Sequence, residues 1–302
     1  MYRVKKQLHW EKAIEQGITG QNVTIAVLDT GIATHPDFNN RILAFRDFVN
    51  KKKNRYDDSN HGTHVSGILA GNGMLSGGRY CGIAPLANLV VGKILDEKGN
   101  GTIEYMQEGI QWIIENREKY QIRILNISIG TDLADEMAIK TIMNCIESAW
   151  KAGIIVVTAA GNKGPKPMSI SPIGASDMVI TVGCHDGGYF GEKNNLCENY
   201  SGRGPTQYAL KKPDIVAPGT EIISCNANIR KIHGQYSNAY VAKSGTSMAT
   251  PIVAGACALY LQKYPNAQNE EVKRRMLYSA TDMKENWTKQ GWGMLDIEKL
   301  LK

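Results

Sequence analysis

The sequence contains no run of about 18 apolar residues, so no segment reads as a membrane-spanning helix, and no membrane partner is expected. Its six cysteines, Cys81, Cys145, Cys184, Cys197, Cys225 and Cys257, include no Cys-x-x-Cys pair, which removes zinc knuckles and dithiol redox motifs. No Gly-x-x-x-x-Gly-Lys-Ser/Thr occurs, and the glycine-rich residues 71–78 are not a Gly-x-Gly-x-x-Gly placed after a strand; nucleotide-binding readings fall away. The net charge is +6, yet the only dense basic run is Lys51-Lys52-Lys53. Without a basic stripe or a base-stacking aromatic motif, that run reads as a solvated loop, and no nucleic-acid partner is expected. No linker, low-complexity tract or internal repeat interrupts the chain. The first ten residues are charged and lack the apolar centre of a secretion signal, so a cytoplasmic protein with free thiols is expected.

What is present suits one large domain over residues 1–302: 42% of residues are hydrophobic and 21% charged. Short apolar runs at 23–28, 88–94, 122–129, 154–160 and 178–182 read as buried strands. Between them lie helical patterns: a small-residue stretch from 60 to 71, one face formed by Met106, Ile110, Ile113 and Ile114, and another by Ala138, Ile142, Ile146 and Ala149, closed by Gly153. Strands alternating with helices give an α/β fold, three layers (α/β/α) around a mainly parallel central sheet. Ligands bind such sheets beyond the carboxyl ends of the strands. Asp29, Asn126, Ser128, Gly161 and Asn162 fall at those ends, while His35-Pro36-Asp37 reads as a polar loop.

The stretch 244–251, Ser-Gly-Thr-Ser-Met-Ala-Thr-Pro, opens a helix at once, with Pro251 placed in its first turn. Alone, it is equally an ordinary Ser/Thr cap on a core helix or a nucleophile held at a helix N-terminus. A serine hydroxyl attacks only when a base takes its proton, a third group orients the base, and fixed donors meet the oxyanion. The candidate base lies in Asn60-His61-Gly62-Thr63-His64. Two histidines at this spacing are also compatible with a purely structural pair, but not with His-Glu-x-x-His zinc ligation. The candidate orienting acid is Asp29 in Asp29-Thr30-Gly31. That tripeptide also marks aspartic proteases, which need two carboxylates, and this chain has one such motif. The candidate oxyanion donor is Asn162, whose other reading is a turn residue after Gly161.

With Val27-Leu28-Asp29-Thr30-Gly31, His61-Gly62-Thr63-His64-Val65-Ser66-Gly67, Ala160-Gly161-Asn162 and Gly245-Thr246-Ser247-Met248-Ala249-Thr250-Pro251 in this order, the chain resembles the subtilisin-like serine endopeptidases, and especially their intracellular bacterial members. The resemblance implies a subtilisin-like fold and an acyl-enzyme mechanism in which Asp29 orients, His61 acts as base, Ser247 attacks and Asn162 receives the oxyanion. It makes His64 a structural neighbour. It implies protein or peptide substrates bound as an extended strand between Ser128-Ile129-Gly130 and Asn100-Gly101-Thr102, with Ile103 and Met106 lining an apolar pocket and Ala160, Gly161 and Lys163 near the residue before the cut. Lys163 would favour an acidic or polar residue there. No cofactor is implied for the chemistry. A structural calcium ion is implied at Asp37, although the loop 71–80 supplies Asn72 and no carboxylate to such a site. No long pro-domain is expected. The alternative on the same fold, a catalytically silent peptide-binding protein, is opposed by the presence of all four chemical residues.

Overall fold

Seven parallel strands form the central sheet of the computed structural model, which describes residues 1–129, 135–191, 193–206 and 210–302. They are β1 (Thr24–Asp29), β2 (Ile42–Asp47), β3 (Asn88–Lys93), β4 (Ile122–Ile127), β5 (Ile155–Ala159), β6 (Ile180–Cys184) and β7 (Ile215–Ala217). Their order is β2-β3-β1-β4-β5-β6-β7, with every neighbouring pair parallel. The apolar runs end slightly off the strands because turns take up the flanking amides. Val23 N donates to Gly20 O (3.2 Å), Ile154 N to Ala149 O (3.1 Å), and Met178 N to Ser176 Oγ (3.0 Å).

Alternate residues of the strands feed two separate cores, as a sheet covered on both faces requires. Ile25, Val27, Leu89, Val91, Ile155 and Val157 pack on one side; Ala26, Leu28, Val90, Leu125, Ile127 and Val156 pack on the other. Two N-terminal turns, α1 (Tyr2–Gln7) and α2 (Glu11–Ile14), precede the sheet. Helix α3 (Gly62–Ala70) covers the first side, α4 (Ile103–Glu115), followed by the single turn α5 (Arg117–Tyr120), and α6 (Glu136–Lys151) cover the second, and α7 (Cys197–Tyr200) is one further turn. Thr102 caps α4 through Tyr105 N (3.2 Å), and Asp135 caps α6 through Met137 N (3.3 Å) and Ala138 N (3.1 Å).

Beyond β7 come β8 (Ile222–Cys225), a small exposed hairpin of β9 (Arg230–Ile232) and β10 (Gln235–Ser237), and β11 (Tyr240–Lys243), which pairs antiparallel with β8. Helix α8 (Thr246–Lys263) follows and packs beside α3 against β4, β5 and β6; α9 (Asn269–Tyr278) comes after it. Every residue of α8 from Met248 to Leu261 is buried, so this helix has no polar face. Pro251 is not in its first turn. The helix already begins at Thr246, so Pro251 is the sixth residue and lies inside. Its missing N–H removes the helical donor for the Ser247 carbonyl.

The topology itself selects a crevice. Strand β1 is flanked by β3 and β4, whose connections run in opposite directions from it, the place where such sheets set a ligand crevice beyond the carboxyl end. Asp29 is the last residue of β1. All six cysteines are free, and Cys257 is core. No helix of the described residues is long and apolar enough to cross a membrane.

Candidate active site

Asp29 is fully buried at the carboxyl edge of the sheet, and its Oδ1 lies 2.7 Å from Nδ1 of His61. The same oxygen accepts Thr30 N at 2.7 Å. The approach depends on glycine. A Cβ on Gly62 would sit 2.2 Å from the Gly31 carbonyl oxygen and 3.2 Å from Asp29 Cβ, so no side chain can stand beside His61 at the start of α3. Gly31 has φ +116°, and a Cβ there would fall 2.2 Å from Tyr56 O.

The loop before α3 is tied to the same place. Thr30 Oγ1 accepts Gly62 N (2.9 Å) and donates to Asp57 Oδ1 (2.8 Å). Asp57 Oδ1 also accepts Ser59 N (3.1 Å) and Asn60 N (2.9 Å), while Oδ2 accepts Thr63 N (2.8 Å) and Thr63 Oγ1 (2.6 Å). Asp57 therefore satisfies the open amides at the start of α3, a carboxylate at the positive end of the helix. Lys93, buried at the end of β3, donates at 2.7 Å to Thr30 O, Leu95 O and Asp58 Oδ1. Sequence reasoning missed both residues. A carboxylate a few positions before a helix start was the available signal for Asp57.

Ser247 is half-buried as the second residue of α8. Asn162 follows β5, with its Oδ1 accepting Thr246 N (3.2 Å) and Thr246 Oγ1 (3.0 Å). Those two donors fix the amide with its Oδ1 toward Thr246. A Cβ built on Gly245 would stand 3.8 Å from both Asn162 Nδ2 and Ser247 N, so both donors border the Gly245 position. Gly245 N donates to Gly219 O (3.0 Å), and the neighbouring Thr220 is held by buried Asp186 through its N (3.2 Å) and its Oγ1. Asp186, in the segment 186–200 that had no reading from sequence, thus supports the turn behind Ser247.

Burial alone would push the His61 imidazole toward its neutral form. The Asp29 charge and hydrogen bond outweigh this and hold its pKa above the ordinary value. With Asp29 on Nδ1, the Nε2 lone pair is the free one. His64 behaves oppositely. It is fully buried, its pKa is pushed down to about 3 mainly by burial, and its Nε2 bonds the Ile222 (2.9 Å) and Val241 (3.1 Å) carbonyls. It is a neutral clasp between α3 and the β8–β11 pair, not a base. The Lys243 ammonium is also lowered, first by burial, against the opposing pull of Asp57 and Asp29.

The residues carried over for substrate binding differ in exposure. Ser128 and Ile129 are buried just past β4, where Asn126 Nδ2 donates to Ser128 Oγ (2.7 Å); Gly130 lies outside the described residues. Asn100, Gly101 and Thr102 are exposed, with Ile103 half-buried and Met106 buried on α4. Ala160 and Gly161 are buried, whereas Asn162 and Lys163 are exposed.

The calcium reading of Asp37 does not fit its surroundings. His35 and Asp37 are buried rather than parts of a polar loop. Asp37 Oδ1 accepts Leu75 N (3.2 Å), and its Oδ2 faces Tyr240 Oη (2.9 Å) and Cys225 Sγ (3.7 Å). Asn72 Oδ1 accepts Met74 N (2.9 Å) within its own turn. A hard cation needs several oxygen ligands, and the neighbours here are a nitrogen, a sulfur and a phenol.

A family model described as the subtilase family matches residues 20–293. The serine protease AprX of Bacillus subtilis (strain 168) is 42% identical over 287 residues, covering 91% of this chain and 65% of the relative. The thermostable alkaline protease of Halalkalibacterium halodurans is 32% identical over 274 residues, 91% of this chain and 66% of the relative. Subtilisin BL of Lederbergia lenta is 34% identical over 271 residues, 90% and 88% respectively. The chain thus spans just under two thirds of the first two relatives.

Proposed function

The chain belongs to the subtilase family, and from that premise we propose that it is a serine endopeptidase acting on extended peptides through Asp29, His61, Ser247 and Asn162. His61 Nε2 takes the Ser247 hydroxyl proton as Oγ attacks the substrate carbonyl carbon. The developing oxyanion is received by Asn162 Nδ2 and Ser247 N. His61 then gives the proton to the leaving amine, and a water activated by the same imidazole releases the acyl group. Asp29 holds the tautomer and stabilises the imidazolium throughout. The observation that carries the reading is the 2.7 Å contact between Asp29 Oδ1 and His61 Nδ1 at the carboxyl edge of the sheet. Main-chain pairing on both sides of the cleft accounts for broad selectivity, since it reads backbone rather than side chains.

Intact mass after treatment with phenylmethylsulfonyl fluoride tests the assignment. One adduct is expected on the unmodified sequence and none on Ser247→Ala. A folded protein that takes no adduct and leaves casein uncut would instead be a silent peptide-binding relative. Lys163 is assigned to the pocket before the scissile bond, favouring acidic residues. Equal kcat/KM for matched peptides carrying Glu or Lys there would refute that preference.

A further inference from the structure

We propose that His35, Asp37 and Cys225 form a buried site for one divalent transition-metal ion of the zinc class, bound through an imidazole nitrogen, a carboxylate oxygen and a thiolate sulfur. Among the described residues this is the one group of three such side chains whose ligand atoms all lie within 4.8 Å of one another. His35 Nδ1 stands 3.8 Å from Asp37 Oδ1, and Cys225 Sγ stands 3.7 Å from Asp37 Oδ2. Tetrahedral zinc with bonds of about 2.0–2.3 Å places its nitrogen, oxygen and sulfur ligands about 3.4–3.6 Å apart. The ligand atoms reach that geometry by a turn of the carboxylate that brings one oxygen to both partners and a small inward movement.

The surrounding groups are arranged as they are around metal ligands. His35 Nε2 contacts the Ala239 carbonyl at 2.9 Å, which fixes Nε2 as the protonated nitrogen and leaves Nδ1 as the acceptor, now of Asp37 N at 3.1 Å. Tyr240 lies directly opposite Cys225 in the β8–β11 ladder and donates from Oη to Asp37 Oδ2 (2.9 Å), orienting the carboxylate. The Arg41 guanidinium donates to Asp37 O (2.6 Å) and supplies positive charge beside a thiolate and a carboxylate. Room for the sulfur comes from α3: a Cβ would lie 2.8 Å from Cys225 Sγ at Gly67 and 3.4 Å from it at Gly71. Phe38 and Tyr240 pack edge-on against the His35 ring at 5.9 and 5.8 Å, excluding bulk water.

Capture forms one nitrogen, one oxygen and one sulfur bond to the ion. The Cys225 thiol proton leaves to solvent, and His35 Nδ1 gives up the Asp37 amide it now accepts at 3.1 Å. A water fills the fourth position. The mixed donor set separates this ion from calcium, which takes oxygen ligands. The effect is to pin the β8–β11 hairpin, which leads straight into the Ser247 turn, to the segment after β1.

The test uses the full chain carrying Ser247→Ala, so that self-digestion does not intrude. After incubation with zinc sulfate and desalting, elemental analysis should give about one zinc per chain. Cys225→Ala added to this chain should lower that content at least fivefold. Cobalt(II) loading should show a near-ultraviolet thiolate charge-transfer band, which requires no further variant to fold. The melting temperature should rise with zinc and not with calcium. Less than a fifth of an equivalent of zinc, an unchanged content in Cys225→Ala, loss of the ion to millimolar calcium, or a cobalt complex without the charge-transfer band would each overturn the assignment.

Discussion

Replacing Asp57 by asparagine tests how His61, the proposed general base, is held. The carboxylate accepts three hydrogen bonds at Oδ1 and two at Oδ2. An amide of the same shape must turn its NH2 toward one of those groups, so at least two donors lose their acceptor whichever way it faces. Each unsatisfied donor costs roughly 1–3 kcal/mol, and a loss of about 2–4 kcal/mol follows for a partly exposed site. With an unfolding entropy of about 2.1 cal/mol/K per residue over 302 residues, that is a fall in melting temperature of roughly 3–6 °C. Burial lowers the His61 pKa; Asp29 more than reverses this, and Asp57 adds a smaller upward pull. The neutral imidazole is the active form, so activity rises as pH climbs through that pKa. Removing the Asp57 charge should therefore move the acid limb of kcat/KM to lower pH while plateau kcat falls. The assays are thermal unfolding in the Ser247→Ala background and a pH series on a chromogenic peptide. An unchanged melting temperature together with an unmoved acid limb would refute the claim that Asp57 caps α3 and acts on His61.

Asn162→Ala should lower kcat about 10²–10³-fold with little change in KM, the cost known for an oxyanion-hole asparagine in subtilisin; steady-state kinetics would show it. Gly62→Ala should slow labelling by a fluorophosphonate more than 100-fold, roughly the 3 kcal/mol that separating base and acid would cost, because its Cβ has no place beside the Gly31 carbonyl. His64 is ordinary when unfolded and lowered to about 3 when folded, so its contribution to stability is complete above about pH 6.5. It is lost at about 1.4 kcal/mol per pH unit as pH falls toward 3. Urea midpoints measured from pH 7 to pH 4 should show that slope, and His64→Gln should flatten it.

The proposed roles could be read because each demands a residue type that few other jobs require, set in glycine-rich surroundings. Asp29 and His61 do meet, and the order of Asp29, His61, Asn162 and Ser247 pointed to the fold. The strands were legible because two buried faces leave nearly unbroken apolar runs. The supports were harder to read. Asp57 sits in a polar stretch of Asp, Ser and Asn that resembles any solvated loop; four of its five donors are local, and only Thr30 Oγ1 joins it when β1 and α3 meet. His35 and Asp37 look like loop residues until Cys225 and Tyr240, some 190 residues later, close over them. Pro251 was misplaced because a proline commonly marks a first turn, whereas here the glycine at 245 starts the helix earlier.

Helix α8 carries Ser247, the proposed nucleophile, half-buried in its first turn and is enclosed from Met248 to Leu261. A reactive group on a surface loop can be lost by local fraying while the rest of the molecule survives. Here there is no small opening that frees the first turn, since releasing it means dissolving the packing on one whole side of the sheet. Amide exchange along Met248–Leu261 should therefore proceed at the rate of global opening. Loss of activity under heat or denaturant should coincide with loss of fold in a single step, and the number of titratable serines in a preparation should equal the number of intact molecules.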